Sequence, residues 1–273
     1  MTESTYEIAE ADVSGALKDV YADIRHQLRL PMVNLVYRRL AALGELESLW
    51  ESVQVLLGDS RLEGLAELLV VDIADSGQAI PADAVEIVAG SRDVEPVRNV
   101  LSAFARANSI NLVLLTAVTQ GLNTSDATPY STSASYYTAV TSRPVTDDVW
   151  PVWKPLPGSN DLRQPVRALV EDMADKLICD RPPALMPTLL RQLAPWPEVL
   201  ALLCVATNSR IAELDLHESK LRRRASAAVS TLPRMSTALS DNSLSVLGEF
   251  LGVIPRMLAF GTYCQQALNW VDR

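Results

Sequence analysis

Between Val97 and Val118 the chain reads VRNVLSAFARANSINLVLLTAV, where Val97, Leu101, Phe104, Ala105, Asn108, Leu112 and Leu115 recur at three- and four-residue steps. That spacing places them on one face of a helix. The same period predicts a helix through Leu17, Val20, Tyr21 and Ile24 to Leu28, capped by Asp12 or Ser14 and closed by Pro31. A second helix starts near Met32 and carries Val33, Val36, Tyr37, Leu40 and Leu43 as far as Gly44. A third carries Leu46, Leu49, Trp50, Val53 and Leu57. Leu62 to Ile73 is apolar enough to be buried on several sides, and Pro81 opens a short helix through Val85. Met1 to Glu10 is polar and reads as a loosely held arm. Gly121 to Asp161, rich in Ser, Thr, Pro and Asp, shows no sustained helical period. Its Tyr136, Tyr137, Trp150 and Trp153 suggest a linker that packs against the rest.

After Leu162 the helical pattern returns as a copy. RRLAALGELESLW (Arg38 to Trp50) is echoed by RQLAPWPEVLALL (Arg191 to Leu203), with Leu40 on Leu193, a shift of 193 − 40 = 153. VLSAFARANSINLVLLT is echoed by VLGEFLGVIPRMLAFGT, with Thr116 on Thr262, a shift of 262 − 116 = 146. The expected architecture is therefore all-α, with two similar helical repeats (1–120 and 162–273) joined by an irregular linker (121–161). The repeats form a pseudo-dimer with a pseudo-twofold axis and a site between them.

Composition agrees with this pattern. Apolar residues make up 48% of the 273, aromatics only 5%, and there are 11 glycines, so the core is Leu/Ala/Val-rich and no run of strands is expected. The net charge of −9 lacks the basic footprint of a nucleic-acid binder. Arg222, Arg223 and Arg224, the one basic run, read as a solvated helix face. Cys179, Cys204 and Cys264 are odd in number and set among apolar residues, as reduced core thiols of a cytoplasmic protein are. The first fifteen residues lack a basic and an apolar stretch of the secretory kind, and no apolar run reaches bilayer length, so no membrane association is expected.

Candidate chemistry starts from Asn108. A side-chain amide has four hydrogen-bonding sites, and burying them unpaired costs about 1–3 kcal/mol. Asn108 is either a core amide satisfied by neighbouring backbone or a pocket amide turned towards a substrate. In the second repeat it falls on Ile254, so the repeat itself accepts an apolar residue there. Asymmetry at a symmetric seam is what a single functional site would produce. His26 and His217, the two histidines, match no metal-ligand spacing, and neither a phosphate-binding loop nor a nucleophile elbow occurs. No metal or cofactor is expected.

DVSGALKDVYADIRHQLRLP (Asp12 to Pro31), the Val97–Val118 stretch and LAPWPEVL (Leu193 to Leu200) resemble the group I, DehI-type, 2-haloacid dehalogenases over most of the chain. The resemblance implies an all-α fold of two repeats with the site at their interface. It also implies displacement of halide from C2 of a haloacid by an activated water, without an enzyme ester. Asn108 falls on the asparagine that holds this water in the family. The family's general base, an aspartate seven residues before the Trp-Pro, falls on Leu189, while Thr188 matches a family serine. Met32 replaces a pocket tryptophan and Asn111 a tyrosine. Asp180 is the nearest upstream carboxylate.

Losing a positioned base forfeits a factor of about 10²–10⁴. Three readings follow. Substitution at saturated carbon can continue with a nucleophile supplied by the substrate, since a well-oriented intramolecular group has an effective molarity of about 10⁵–10⁸ M. An amine attacking a neighbouring carbon then closes an aziridine as halide or sulfate leaves, and the chain loosely resembles the aziridine-forming, sulfate-eliminating enzymes of azabicyclic natural-product pathways. Alternatively another carboxylate serves as base and the chain is a hydrolytic dehalogenase, or it is a catalytically silent helical partner of another protein. Under the first reading Asn108 and Thr188 hold the reacting centre or the leaving group, and Arg191 or Arg38 neutralises the departing anion. Asn34 and Tyr37 orient a carboxylate or amine, and Met32 and Asn111 complete the pocket. The competing reading for both arginines is an exposed helix face. The partner is a small-molecule substrate, free or presented on a carrier protein.

Overall fold

The computed structural model describes residues 6–71, 73, 94–122, 156–158, 161–178, 185–234 and 238–269. Among them are helices and turns but no strand, so the protein is all-α. The short helix at Pro81–Val85, the linker aromatics, Cys179 and Asp180 lie outside the described residues. Among the described residues five α-helices come first: α1 (Ala16–Leu28), α2 (Leu35–Ala42), α3 (Leu46–Leu57), α4 (Leu62–Leu68) and α5 (Glu95–Leu122). Five more follow residue 160: α6 (Gln164–Leu177), α7 (Thr188–Leu193), α8 (Pro197–Asn208), α9 (Leu214–Val229) and α10 (Asp241–Asn269).

The start of the chain departs from the sequence-based expectation in three linked ways. Residues 6–10 are not a loose arm but a strap. The Ile8 N–H donates to the Arg38 carbonyl (3.1 Å), the Tyr21 hydroxyl donates to the Ile8 carbonyl (2.9 Å), and Glu10 pairs with Arg25 (2.8 Å). Neither Asp12 nor Ser14 caps α1. Glu10–Asp12 turns as a 3-10 helix instead, and α1 leaves from Gly15 at φ 59, a left-handed backbone that favours glycine. Finally, α2 begins at Leu35 rather than Met32. The Val33 N–H is committed to Glu10 Oε1 (2.7 Å), and Asn34 is extended, with ψ 148, immediately before the helix.

The long helices α5 and α10 pack along each other, and α9 lies against both. By length and composition Glu95–Gly121 and Asp241–Leu268 could each cross a membrane, which corrects the expectation that no apolar run is long enough. Their apolar windows are 78% and 67% buried within the fold, so the apolar surface is met by protein. Periodicity hid this because each helix is apolar on more than one side, as a helix surrounded by others must be. Pro255 lies inside α10 beside Ile254 and removes one backbone donor from the helix interior. Cys204 and Cys264 are buried and free; burial pushes the Cys204 thiol up to about 12 and Cys264 well above its ordinary value.

Candidate active site

A cavity opens where the first turns of α2 and α7 meet the middle of α5 and of α10. Its wall is built in pairs. From α5 and α10 come Phe104 and Phe250, Asn108 and Ile254, Asn111 and Met257, each pair 146 apart (254 − 108 = 146). From the N-caps and first turns of α2 and α7 come Asn34 and Pro187, Leu35 and Thr188, Val36 and Leu189, each pair 153 apart (188 − 35 = 153). These equal the shifts between the similar sequence blocks Arg38–Trp50 and Arg191–Leu203, and Val100–Thr116 and Val246–Thr262. The cavity volume is about 40 Å³. About 10–15 Å³ suffices for one water, so a molecule of a few heavy atoms fits.

The polar side chains in the wall are one hydroxyl and three amides, Thr188, Asn34, Asn108 and Asn111, and no charged side chain lines it among the described residues. All four are buried. Asn111 Oδ1 accepts a 2.7 Å hydrogen bond from the Tyr37 hydroxyl, which leaves the amide nitrogen as the donor open to the cavity. Burial pushes the Tyr37 phenol well above its ordinary pKa, so it stays a neutral donor. Trp50 packs edge-on against Tyr37, with ring centroids 5.4 Å apart, and fixes the ring. Asn34 Oδ1 is buried without a hydrogen bond. The side chains of Asn108 and Thr188 likewise make none with the described residues. Buried amides are ordinarily paired within the fold. Here three of the four polar side chains are left for an occupant.

The structure thus brings Asn34, Asn108, Asn111 and Thr188 to one cavity, with Leu189 beside Thr188 in the wall. Tyr37 stands behind the wall and acts on it through Asn111. Met32 is buried but does not line the cavity, although Asn34, two residues further on, does. Arg38 and Arg191 do not line it either, and neither is an exposed face: both are buried, one turn further along α2 and α7. Sequence reasoning did not reach Glu7, which lies against both arginines. Nothing in its local pattern marks it. No group of three or more His, Cys, Asp or Glu side chains gathers in a metal-holding arrangement among the described residues.

This helical architecture is that of the D-2-haloacid dehalogenases. A D-2-haloacid dehalogenase in complex with L-LA superposes with a TM-score of 0.77 at 18% identity, covering 98% of each chain. A mutant solved with D-2-CPA gives 0.76 at the same identity and coverage. At these identities the likeness shows the fold. In sequence, the chain is homologous to a configuration-inverting 2-haloacid dehalogenase of Alcaligenes xylosoxydans xylosoxydans. The two are 27% identical over 277 residues, spanning 95% of this chain and 91% of that protein. No family model matches the chain.

Proposed function

We propose that the chain catalyses substitution at a saturated carbon with loss of an anionic leaving group, and that the nucleophile belongs to the substrate, so that a small ring such as an aziridine closes. Homology to 2-haloacid dehalogenases supports loss of an anion from saturated carbon. The observation that carries the finer reading is the cavity wall itself: four buried polar side chains and no carboxylate among the described residues. Such a wall can orient and hydrogen-bond but cannot take a proton from water, because neither an amide nor a threonine hydroxyl is a base near neutral pH.

The unpaired Asn34 Oδ1 is an acceptor and asks for a donor, which an amine N–H supplies. Asn108, Thr188 and the Asn111 amide nitrogen are donors available to the departing anion. The amine attacks as the neutral form, its lone pair forms the C–N bond, the bond to halide or sulfate breaks with its electron pair, and the proton passes to solvent. Desolvation in an apolar cavity favours that neutral amine. Inversion at saturated carbon needs nucleophile and leaving group in line, which a small rigid cavity imposes. On this reading the paired wall positions mark a seam between two repeats, residues 1–120 and 162–273. The substrate is a small molecule; a carrier-borne one would insert its reacting end only.

A second reading, hydrolytic 2-haloacid dehalogenation, is favoured by the activity of the homologue. One experiment separates the two. The protein is given 2-chloropropionate and, separately, a vicinal amino-sulfate or amino-halide in ¹⁸O-water, and released anion and product are followed. Anion release with an unlabelled ring product supports the proposal. Labelled hydroxy acid at an ordinary enzymatic rate replaces it with the hydrolytic reading. Turnover of neither leaves the catalytically silent partner protein.

A further inference from the structure

One helical turn beyond the cavity, α2 and α7 each carry a buried arginine at matching positions, 191 − 38 = 153. Arg38 is 4% and Arg191 5% exposed. Between them stands one carboxylate from the strap. Glu7 Oε2 is 3.2 Å from Arg38 Nη2, and Glu7 Oε1 is 4.0 Å from Arg191 Nη1. The fit is poor. Arg38 Nε and Nη2 and Glu7 Oε2 are all buried without a completed hydrogen bond, and Arg191 Nε donates to the Pro157 carbonyl (2.9 Å). Burial, and next the Arg38 charge, push Arg191 below its ordinary pKa, while Glu7 and the more distant Asp161 oppose this. Glu10 is engaged by Arg25 and Val33.

Two buried guanidiniums with forks left open are costly unless an anion completes them. Glu7 approaches without doing so. Its side chain is 27% exposed against 5% and 7% for the arginines, so it stands on the solvent side. It also sits on irregular backbone, where the side chain can swing out while Ile8 and Glu10 keep the strap anchored.

We propose that Arg38 and Arg191 form a second, anion-binding site for a small monovalent anion, a halide or a carboxylate, with Glu7 as a built-in occupant that the ligand displaces. The site is distinct from the cavity and does not depend on which reaction the cavity performs. Glu7 itself does not line the cavity, so it is not placed to take a proton from a molecule bound there.

The test is bromide binding to the full chain at constant ionic strength, read as saturable ⁷⁹Br line broadening. Glu7→Gln, which keeps the side chain's shape and removes its charge, should bind bromide at least about tenfold more tightly than the parent. Arg191→Gln in the Glu7→Gln background should abolish the saturable component, and Arg38→Lys, which keeps the charge but loses the fork, should weaken it. Circular dichroism and thermal melts check that each variant is folded. Acetate that displaces bromide identifies a site open to carboxylates, and failure to displace restricts it to halides; both support the proposal. Equal broadening in the parent and Glu7→Gln overturns it, as does saturable binding that survives loss of Arg191.

Discussion

Replacing Asn108 with leucine should stabilise the protein while disabling it. Asn108 is 6% exposed, and its side chain makes no hydrogen bond with the described residues. An amide buried that way costs about 1–3 kcal/mol. Leucine has the same branching, and burying it contributes about 1.5–3 kcal/mol. Its larger methyl groups enter a cavity of about 40 Å³, so the overpacking penalty of about 1–3 kcal/mol is only partly incurred. The net expectation is a gain of about 1–3 kcal/mol, or roughly 2–10 °C in melting temperature for a chain of this size. In urea the midpoint should rise with an unchanged slope. Activity should fall by a factor of about 10²–10³, the usual effect of deleting one donor to a developing anion. The pairing of higher stability with lost turnover is the mark of a residue held for its ligand. A variant that melts below the parent, with residual activity tracking the folded fraction, would refute the reasoning and make Asn108 a structural amide.

Leu189→Asp places a carboxylate beside Thr188 in the cavity wall; it should raise 2-chloropropionate hydrolysis by about 10²–10⁴, with ¹⁸O in the hydroxy acid. Because the site is buried, it should also lower the melting temperature; a folded variant with no gain in hydrolysis would show that position 189 does not face the nucleophile. Tyr37→Phe leaves Asn111 Oδ1 without its donor and should cost about 1–3 kcal/mol, measured by urea unfolding, the opposite sign to Asn108→Leu. Stability should also fall in acid. At Asp23 burial raises the pKa, but hydrogen bonds from Trp50, Gln54 and Gln27 outweigh it and hold the carboxyl below its ordinary 3.8. At Glu45 bonds from Ser240 outweigh burial and hold it below 4.5, and at Asp59 the Arg61 bonds do the same. A carboxyl depressed in the folded state stabilises above its unfolded pKa and loses that contribution as pH falls through the folded value. The urea midpoint should therefore hold down to about pH 5 and drop below about pH 4, less steeply in Asp23→Asn; a midpoint flat to about pH 2.5 would contradict this.

The helical class and most helix positions were legible in the sequence, because a 3.6-residue apolar period is a local property that needs no knowledge of neighbours. So were α3 and the phase of α5, and with them Asn108 as the one amide on an apolar stripe. The paired shifts of 146 and 153 could also be read directly, and they are the shifts that pair the cavity wall. What the sequence could not decide was whether Asn108 is satisfied. That depends on which groups approach it from elsewhere, and Asn34 and Thr188 come from 74 residues before and 80 residues after it (108 − 34 and 188 − 108). The same limit applied to Arg38 and Arg191, which on a helical wheel look like exposed charges. Tertiary packing buries them, because the strap crosses their helices and brings Glu7 between them. It applied as well to the start of α2, where a hydrogen bond to Glu10, 23 residues upstream of Val33, takes a backbone donor the local pattern would have left to the helix. Periodicity fixes which face of each helix is apolar; only the packed chain decides which polar atoms find partners and which are left for a ligand.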